Sequence, residues 1–199
     1  MIRTESDGSC WYASAKRHPS DNCRVRPPGA TPSLLVIHNI SLPAGCWDTG
    51  HVIDLFCNRI DPDAHASFAD LGGLRVSSHL LIDRRGRLCQ FVPFDRAAWH
   101  AGVSCFDGRE NCNEFSIGIE LTGADATPFT QKQYFRLAAV TRALVKRYPD
   151  ITPERIVGHS DIARPAGRKT DPGPAFDWPR YRALLAGRPG ADTSAGPGR

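Results

Sequence analysis

A short apolar run, Ser33-Leu-Leu-Val-Ile-His38, constrains the fold of this chain more than any other feature of its sequence. The run follows Pro32 and has the length of a buried β-strand, which is shorter than most helices. A second strand is predicted for Phe115–Leu121, where large apolar residues alternate with small or polar ones. Because segments with a helical pattern lie between and after these strands, the chain is predicted to form an α/β (α+β) fold.

The clearest helix is predicted for Thr130–Tyr148, where apolar residues recur every three or four positions. Thr130 and Gln133 have the spacing of a capping box, and Pro149 ends the pattern. Residues up to about Pro32 are predicted to form an irregular arm. The other elements expected are strands at Val76–Ile82, Arg87–Val92 and Ile156-Val157, short helices near Val52–Phe56 and Ala64–Leu71, and a last helix from Asp177 to before Gly187.

Length and charge limit the possible partners. The 199 residues predict a single domain over residues 1–187 and a Gly- and Pro-rich tail, 188–199, that is predicted to be disordered. The net charge of +4 comes without clustered Lys and Arg, which disfavours a nucleic-acid partner. No signal-peptide pattern occurs, and no stretch approaches the ~20 apolar residues of a membrane helix. We therefore expect a cytoplasmic monomer without a membrane partner.

The chain has seven cysteines, which is an odd number, and no C-x-x-C motif. Both facts argue against a disulfide framework and against a zinc ribbon. We expect reduced thiols, most of them small buried apolar groups, and such thiols suit a reducing cytosol.

Two histidines, His38 and His159, each directly follow a short apolar segment. The ends of such strands are where open α/β sheets bind ligands. Asp171 lies twelve residues after His159, and the intervening loop contains Gly and Pro and can return to the same place. Two neutral imidazoles and one carboxylate form a catalytic zinc set that leaves a fourth position open for water. The triple alone is a weak signal, because a chain with seven histidines offers several such combinations.

Glu120 and Lys169 are candidates for proton transfer and charge stabilisation. Glu120 lies on the polar face of its predicted strand, two residues from Gly118, which leaves room beside it. A buried glutamate has a raised pKa and can carry a proton from water to a leaving group, whereas the alternative is a surface glutamate on an edge strand. Lys169 precedes Asp171 by two residues and would stabilise an oxyanion if Asp171 binds a metal ion. The alternative for Lys169 is a solvated charge.

Seven sequence phrases carry a resemblance to a known family. In chain order they are Leu34-Leu-Val-Ile-His-Asn-Ile-Ser-Leu-Pro43, Leu74-Arg-Val-Ser-Ser-His79, Val92-Pro-Phe-Asp95, Trp99-His-Ala-Gly-Val-Ser104, Phe115-Ser-Ile-Gly-Ile-Glu-Leu121, Gly158-His-Ser-Asp-Ile-Ala163 and Arg168-Lys-Thr-Asp-Pro-Gly-Pro-Ala-Phe-Asp-Trp178. Together they resemble the AmpD-type family of cytoplasmic 1,6-anhydro-N-acetylmuramyl-L-alanine amidases. The resemblance spans roughly Trp11 to Leu185.

The resemblance implies a central mixed β-sheet flanked by helices, as in the peptidoglycan-recognition proteins, with one zinc ion in a groove. It implies zinc-dependent hydrolysis of the amide bond between the lactyl group of (1,6-anhydro-)N-acetylmuramic acid and L-alanine. In this family the reaction belongs to cytoplasmic peptidoglycan recycling and also limits signalling to β-lactamase regulators. The resemblance gives His38, His159 and Asp171 as metal ligands, Glu120 as acid/base, Lys169 as oxyanion stabiliser, and Asn39, Arg75, Trp99 and Arg168 as residues that line the substrate groove.

The sequence departs from the family pattern in three places. The loop Arg164–Gly167 is longer, and Asn111 replaces an arginine that relatives often carry. His51 stands where relatives tend to have an aromatic residue, and is either a second proton carrier or a surface group. His79 and His100 are expected near the groove as hydrogen-bonding groups.

Three other functions are open at this point. A non-catalytic peptidoglycan-binding module would share the fold but is expected to lack a metal ligand or the acid/base. A cysteine-nucleophile amidase would use one of the seven thiols. A periplasmic amidase that acts on intact cell wall would need an export signal.

Overall fold

The computed structural model describes residues 1–187, which form a mixed α/β structure around a six-stranded sheet. The disordered tail predicted for residues 188–199 lies outside the described residues. Among the helices described, none combines the length and the apolar character needed to cross a lipid bilayer.

The described residues form twelve strands, four α-helices and three 3-10 turns. The strands are β1 (Ile2–Thr4), β2 (Cys10–Tyr12), β3 (Lys16–Arg17), β4 (Cys23–Val25), β5 (Leu34–Ile40), β6 (Leu80–Ile82), β7 (Leu88–Gln90), β8 (Arg96–Ala98), β9 (Cys105–Phe106), β10 (Arg109–Glu110), β11 (Ser116–Thr122) and β12 (Ile156–Gly158). The helices are α1 (His51–Phe56), α2 (Gln131–Arg147), α3 (His159–Ile162) and α4 (Trp178–Leu185), and the 3-10 turns are Ala66–Phe68, Cys112–Glu114 and Pro153–Arg155.

The central sheet is mixed and has the strand order β12–β5–β11–β6–β7–β3. β5 pairs in parallel with both β12 and β11, and β11 pairs in parallel with β6. β6 and β7 are antiparallel neighbours, whereas β3 adds to β7 in parallel. Parallel strands that are buried on both faces consist of nearly continuous apolar residues, which explains the composition of the run 34–37. In this register Glu120 of β11 lies opposite His38 of β5.

Different helices pack on the two faces of the central sheet. α2 and α4 pack on the face that carries Leu35 and Ile37, where a large apolar core forms. The opposite face carries Val36, which packs near α3, and Leu81, which packs under α1. Because side chains alternate along a strand, His38 belongs to this second face. The longest helix therefore buries one face, and the polar residues lie on the other.

One predicted strand is shorter in the structure. The segment Val76–Ile82 is a strand only at Leu80–Ile82, and its partner is Leu88–Gln90 within the predicted Arg87–Val92. The hydroxyl groups of the serines at 77 and 78 donate to backbone carbonyls of other segments. Such side-chain bonds compete with a strand ladder and end it early.

One predicted helix is also reduced. The segment Ala64–Leu71 contains only the 3-10 turn Ala66–Phe68. The amides of Phe68, Leu71 and Leu74 each donate to the carbonyl three residues earlier, so the segment continues as tight turns and not as an α-helix. The short helix predicted at Val52–Phe56 is confirmed as α1, and Asp177 caps α4 by accepting from the Arg180 amide.

The prediction of an irregular arm up to Pro32 is wrong. β1 and β2 form a hairpin, β3 joins the central sheet at Cys89, and β4 pairs with β8. Arg26 is buried and donates to backbone carbonyls of Phe94, Asn113, Glu114 and Ser116. Apart from the β1–β2 hairpin, the partners of the arm lie far along the chain, and a local pattern contains no information about them.

The capping box of α2 gives a test of the fold. The Thr130 hydroxyl accepts from the Gln133 amide, and the Gln133 side chain accepts from the Thr130 amide, as predicted. Thr130→Ala should lower the free energy of unfolding by about 1 kcal/mol, because it leaves the Gln133 amide without its acceptor and the Arg84 carbonyl without its donor. Urea unfolding measures the loss. Thr152→Ala is the matched control, since Thr152 precedes a short turn without a capping bond, and an equal loss in both variants would contradict the capping role.

Candidate metal centre and catalytic groove

Three neighbouring elements bring His38, His159 and Asp171 together. His38 lies near the end of β5, and His159 is the first residue of α3, directly after β12. Because β12 and β5 are paired, with Gly158 opposite Ile37, the two imidazoles meet with ring centroids 4.5 Å apart. The following loop returns, and the Ser160 amide donates to the Asp171 carbonyl at 3.0 Å. The three predicted ligands therefore form one cluster.

The donor atoms of this cluster converge on one point. Asp171 Oδ2 lies 3.0 Å from His38 Nδ1 and 3.1 Å from His159 Nδ1, and one ligand atom of each residue lies within 4.8 Å of the others. His159 Nε2 is 3.1 Å from the Ala101 carbonyl oxygen, which can only accept, so Nε2–H donates to it and Nδ1 is the nitrogen left to bind a metal ion. His159 Nδ1 then faces a carboxylate oxygen with a lone pair. A cation between them removes this repulsion, so the arrangement fits a metal ion.

Burial lowers the pKa of His38, although its contact with Asp171 acts in the opposite direction. His38 is consequently neutral at neutral pH, which is the state that binds a metal ion. His38 and His159 are both shielded from solvent, since they are only 1% and 4% exposed.

Glu120 is buried beside this cluster. Its Oε1 lies 4.0 Å from His38 Nδ1, and its Oε2 has no hydrogen-bond partner among the described residues. Burial raises the pKa of Glu120 well above its usual range, the charge of Asp171 raises it further, and Lys169 lowers it. β11 lies between β5 and β6, so the alternative of a surface glutamate on an edge strand is wrong. Lys169 is exposed, yet near enough for its charge to act on Glu120.

His79 and His100 are buried beside the predicted metal ligands. His100 Nδ1 lies 2.9 Å from His38 Nε2, and burial, followed by the neighbouring His38, lowers the pKa of His100 well below its usual range. His79 accepts from the Gly118 amide at 3.1 Å, and burial and Arg26 lower the pKa of His79 to about 3. Both rings are therefore neutral at neutral pH.

The structure adds residues that the sequence analysis missed. Ser116 Oγ lies 3.0 Å from His100 Nε2, and Asn113 Oδ1 accepts from the amides of both His100 and Ala101. Ser116 shares the polar face of β11 with Glu120, so its alternation with apolar residues was an available signal. Asn113 precedes the strand, and nothing in the local sequence distinguishes it.

The four predicted groove residues have different surroundings. Asn39 Nδ2 donates to Asp125 Oδ1 at 2.7 Å and to the Pro172 carbonyl at 3.0 Å, next to Asp171. Arg75 is exposed, and Trp99 is half-buried at a cleft shared with Asn111 and Arg164. The Arg168 guanidinium donates to the carbonyls of Arg164, Ala101 and Val103. Their roles toward a substrate stay predictions.

Two departures from the family pattern have structural explanations. The longer loop Arg164–Gly167 is held by Arg168, whose side chain joins it to the segment 101–103. The His51 ring packs edge-on against Phe68, with centroids 5.0 Å apart. This contact favours a packing role for His51 over that of a second proton carrier.

The fold and the donor set define a class of protein. Residues 28–174 match a family model, Amidase_2, described as N-acetylmuramoyl-L-alanine amidase. The match covers most of the chain, so the chain belongs to this amidase family.

Individual relatives agree with this assignment. The chain is 56% identical over 176 residues to the 1,6-anhydro-N-acetylmuramyl-L-alanine amidase AmpD of Salmonella typhimurium (strain SL1344), which covers 88% of this chain and 92% of the relative. A crystal structure of a selenomethionine derivative of AmpD has a TM-score of 0.85 at 55% identity, covering 88% of this chain and 96% of that chain. Escherichia coli AmiD, solved with the substrate anhydro-N-acetylmuramic acid-L-Ala-D-γ-Glu-L-Lys, has a TM-score of 0.56 at 30% identity, covering 93% and 65%. The resemblance to AmpD-type amidases is confirmed.

Gly118 tests the packing beneath the metal ligands. A Cβ at this position would lie 2.5 Å from Cγ of the buried His100 ring. Gly118→Ala should therefore reduce the free energy of unfolding by at least about 1–3 kcal/mol, the usual cost of overpacking. Gly73→Ala is the control, because a Cβ there would meet nothing within 4 Å. Denaturant unfolding compares the two, and equal midpoints would contradict the close approach of His100.

Proposed function

We propose that this protein is a zinc-dependent amidase that hydrolyses the bond between the lactyl group of (1,6-anhydro-)N-acetylmuramic acid and L-alanine of the stem peptide. One observation carries the proposal: two imidazole nitrogens and a carboxylate oxygen converge beside the buried Glu120. The AmpD relative is named for this linkage, and AmiD was solved with an anhydro-muramyl peptide, which supports the substrate class.

His38, His159 and Asp171 suit zinc better than a hard cation. Mg²⁺ and Ca²⁺ prefer oxygen ligands, whereas two imidazoles and one carboxylate are a zinc set that leaves one position open. The Nε2–H of His159 donates to a carbonyl, as is usual for zinc-binding histidines. When bound, zinc would supply Lewis acidity and allow water to ionise near neutral pH.

Glu120 would move the proton during hydrolysis. Its Oε2 has no partner in the described part of the chain and could accept a proton from the attacking water. The same carboxyl group would then donate that proton to the alanine nitrogen as the amide bond breaks. Its raised pKa suits this return step, because a group with a low pKa would hold the proton too briefly.

Lys169 and the groove residues would bind and orient the substrate. The ammonium group of Lys169 would stabilise negative charge on the lactyl carbonyl oxygen. Trp99 would stack on the sugar, and the exposed Arg75 would bind a stem-peptide carboxylate. Asn39 and Arg168, whose N–H groups already donate to backbone carbonyls, would hold the groove walls in addition to any contact with substrate.

We place the reaction in cytoplasmic peptidoglycan recycling, performed by a monomer without a membrane or nucleic-acid partner. All seven cysteines carry free thiols, which suits a reducing compartment. Removal of anhydro-muropeptides would also limit signalling to β-lactamase regulators, as the resemblance to AmpD-type amidases implies.

The alternative of a cysteine nucleophile is disfavoured. Burial raises the pKa of the thiols of Cys23, Cys57, Cys89 and Cys112, which makes the reactive thiolate scarce. Only two thiols, those of Cys10 and Cys112, are fully buried, so the expectation that most would be buried is wrong.

The alternative of a non-catalytic binding module is disfavoured because the three proposed ligands and Glu120 are all present.

Metal removal tests the amidase directly. The zinc-loaded protein should release the whole stem peptide from a purified anhydro-muropeptide, and mass spectrometry detects both products. A chelator should abolish the release, and added zinc should restore it, because the ligand set holds the metal that activates water. No cleavage by zinc-loaded protein would favour the binding module, whereas chelator-insensitive cleavage would favour a cysteine nucleophile.

Glu120→Gln tests the proton carrier. The amide keeps the shape of the side chain but cannot exchange a proton, so kcat should fall by about 10²–10⁴-fold. Zinc affinity should change little, since Glu120 is not one of the three ligands. Glu154→Gln, at an exposed glutamate, is the control. A Glu120→Gln enzyme with full kcat would remove Glu120 from the mechanism.

A further inference from the structure

We infer that His100 is a positioning residue of the metal centre: it accepts the proton of His38 Nε2 and so fixes His38 with a bare Nδ1 toward Asp171. The inference rests on the proposed metal-dependent function. It assigns a role to a buried histidine that contacts His38 and is not one of the three proposed ligands.

The direction of each hydrogen bond follows from a series of contacts that begins at the Cys112 carbonyl and runs through Ser116 and His100 to His38. Ser116 Oγ lies 2.5 Å from the Cys112 carbonyl oxygen, which can only accept, so the hydroxyl donates there. His100 Nε2 lies 3.0 Å from the same Oγ, whose single proton is already used, so Nε2–H is the donor. A neutral His100 then has a bare Nδ1, 2.9 Å from His38 Nε2, and accepts its proton. His38 Nδ1 is consequently bare, 3.0 Å from Asp171 Oδ2.

The opposite direction of these hydrogen bonds is disfavoured at Ser116. If His100 carried its proton on Nδ1, its bare Nε2 would face a Ser116 oxygen that has no proton left to give. His38 would then carry its proton on Nδ1, the atom that the metal needs. Ser116 therefore selects, through His100, the tautomer of His38 that can bind a metal ion.

The second imidazole ligand is supported from the same place. His159 Nε2 donates to the carbonyl of Ala101, the residue directly after His100. The amides of His100 and Ala101 both donate to Asn113 Oδ1, at 3.0 and 2.8 Å. One side-chain oxygen thus holds the two-residue segment that orients both ligands.

A matched pair of variants separates the acceptor from the volume of the ring. His100→Asn keeps an acceptor oxygen close to the position of Nδ1, whereas His100→Leu has nearly the same shape and no acceptor. Two readouts apply: the ¹⁵N chemical shifts of the His38 ring in metal-free protein, and zinc affinity by competition with a chromophoric chelator. Circular dichroism and thermal unfolding establish that each variant is folded.

In the metal-free wild-type protein Asp171 Oδ2 draws the His38 proton to Nδ1, whereas His100 draws it to Nε2, so a larger fraction of His38 should carry its proton on Nε2 than in His100→Leu. His100→Leu should shift His38 toward the Nδ1–H form and weaken zinc binding by about 10–100-fold, the usual effect of losing such a partner. His100→Asn should recover most of the affinity. If His100→Leu does not fold, Ser116→Ala gives the same test, because it removes the acceptor of His100 Nε2 and should produce a mixture of tautomers on His38.

Each result decides one question. An unchanged His38 tautomer and unchanged zinc affinity in His100→Leu would overturn the positioning role, as would a His100→Asn variant that binds zinc as weakly as His100→Leu. A wild-type chain with the expected tautomer that binds no zinc would instead overturn the proposed function and leave the orientation of His38 supported.

Discussion

The parallel pairing of β5 between β12 and β11 is the constraint on which the site depends. It sets His38 opposite Glu120 on one side and next to the residue that precedes His159 on the other. Because both pairings are ladders of backbone hydrogen bonds, the register of β5 against its two neighbours is fixed. The apolar core under α2, on the other face, makes this sheet costly to distort. The ends of two paired strands thus support two of the three proposed ligands.

The buried polar groups near the proposed ligands differ in whether their hydrogen bonds are satisfied. Below the ligands, each nitrogen of His79 and His100 has a partner in hydrogen-bonding distance, and Arg26 ends on carbonyl oxygens. Satisfied groups of this kind stabilise one arrangement of the core. Glu120 differs, because within the described residues one of its oxygens is buried and has no partner. An unsatisfied buried carboxyl group beside a ligand cluster is a costly arrangement that a merely structural role would not require.

The sequence predicted what depends on neighbouring residues. The capping box at Thr130 and the short strand that ends just before His159 follow from local patterns, and the structure agrees with them. The strand predicted to end at His38 continues to Ile40. The structural features that the sequence did not predict depend on contacts between segments that are distant along the chain. Arg26 lies 90 positions from its acceptor at Ser116, and β3 and β4 pair with strands more than sixty positions away. A side chain such as Asn113 has no local signature, since its importance arises only once the segment 100–101 folds against it.

The shared support of the two imidazoles by Asn113 has a consequence for how the centre comes apart. Since one oxygen holds the backbone at both His100 and Ala101, a local opening of this segment removes the partners of His38 and His159 at the same time. His38 and His159 therefore lose their orienting contacts together and not one at a time. Metal bound only to the closed form would oppose that opening by mass action. Amide exchange in the segment 100–101 would therefore slow as the metal concentration rises. The ion would stabilise a backbone segment that is not among its proposed ligands.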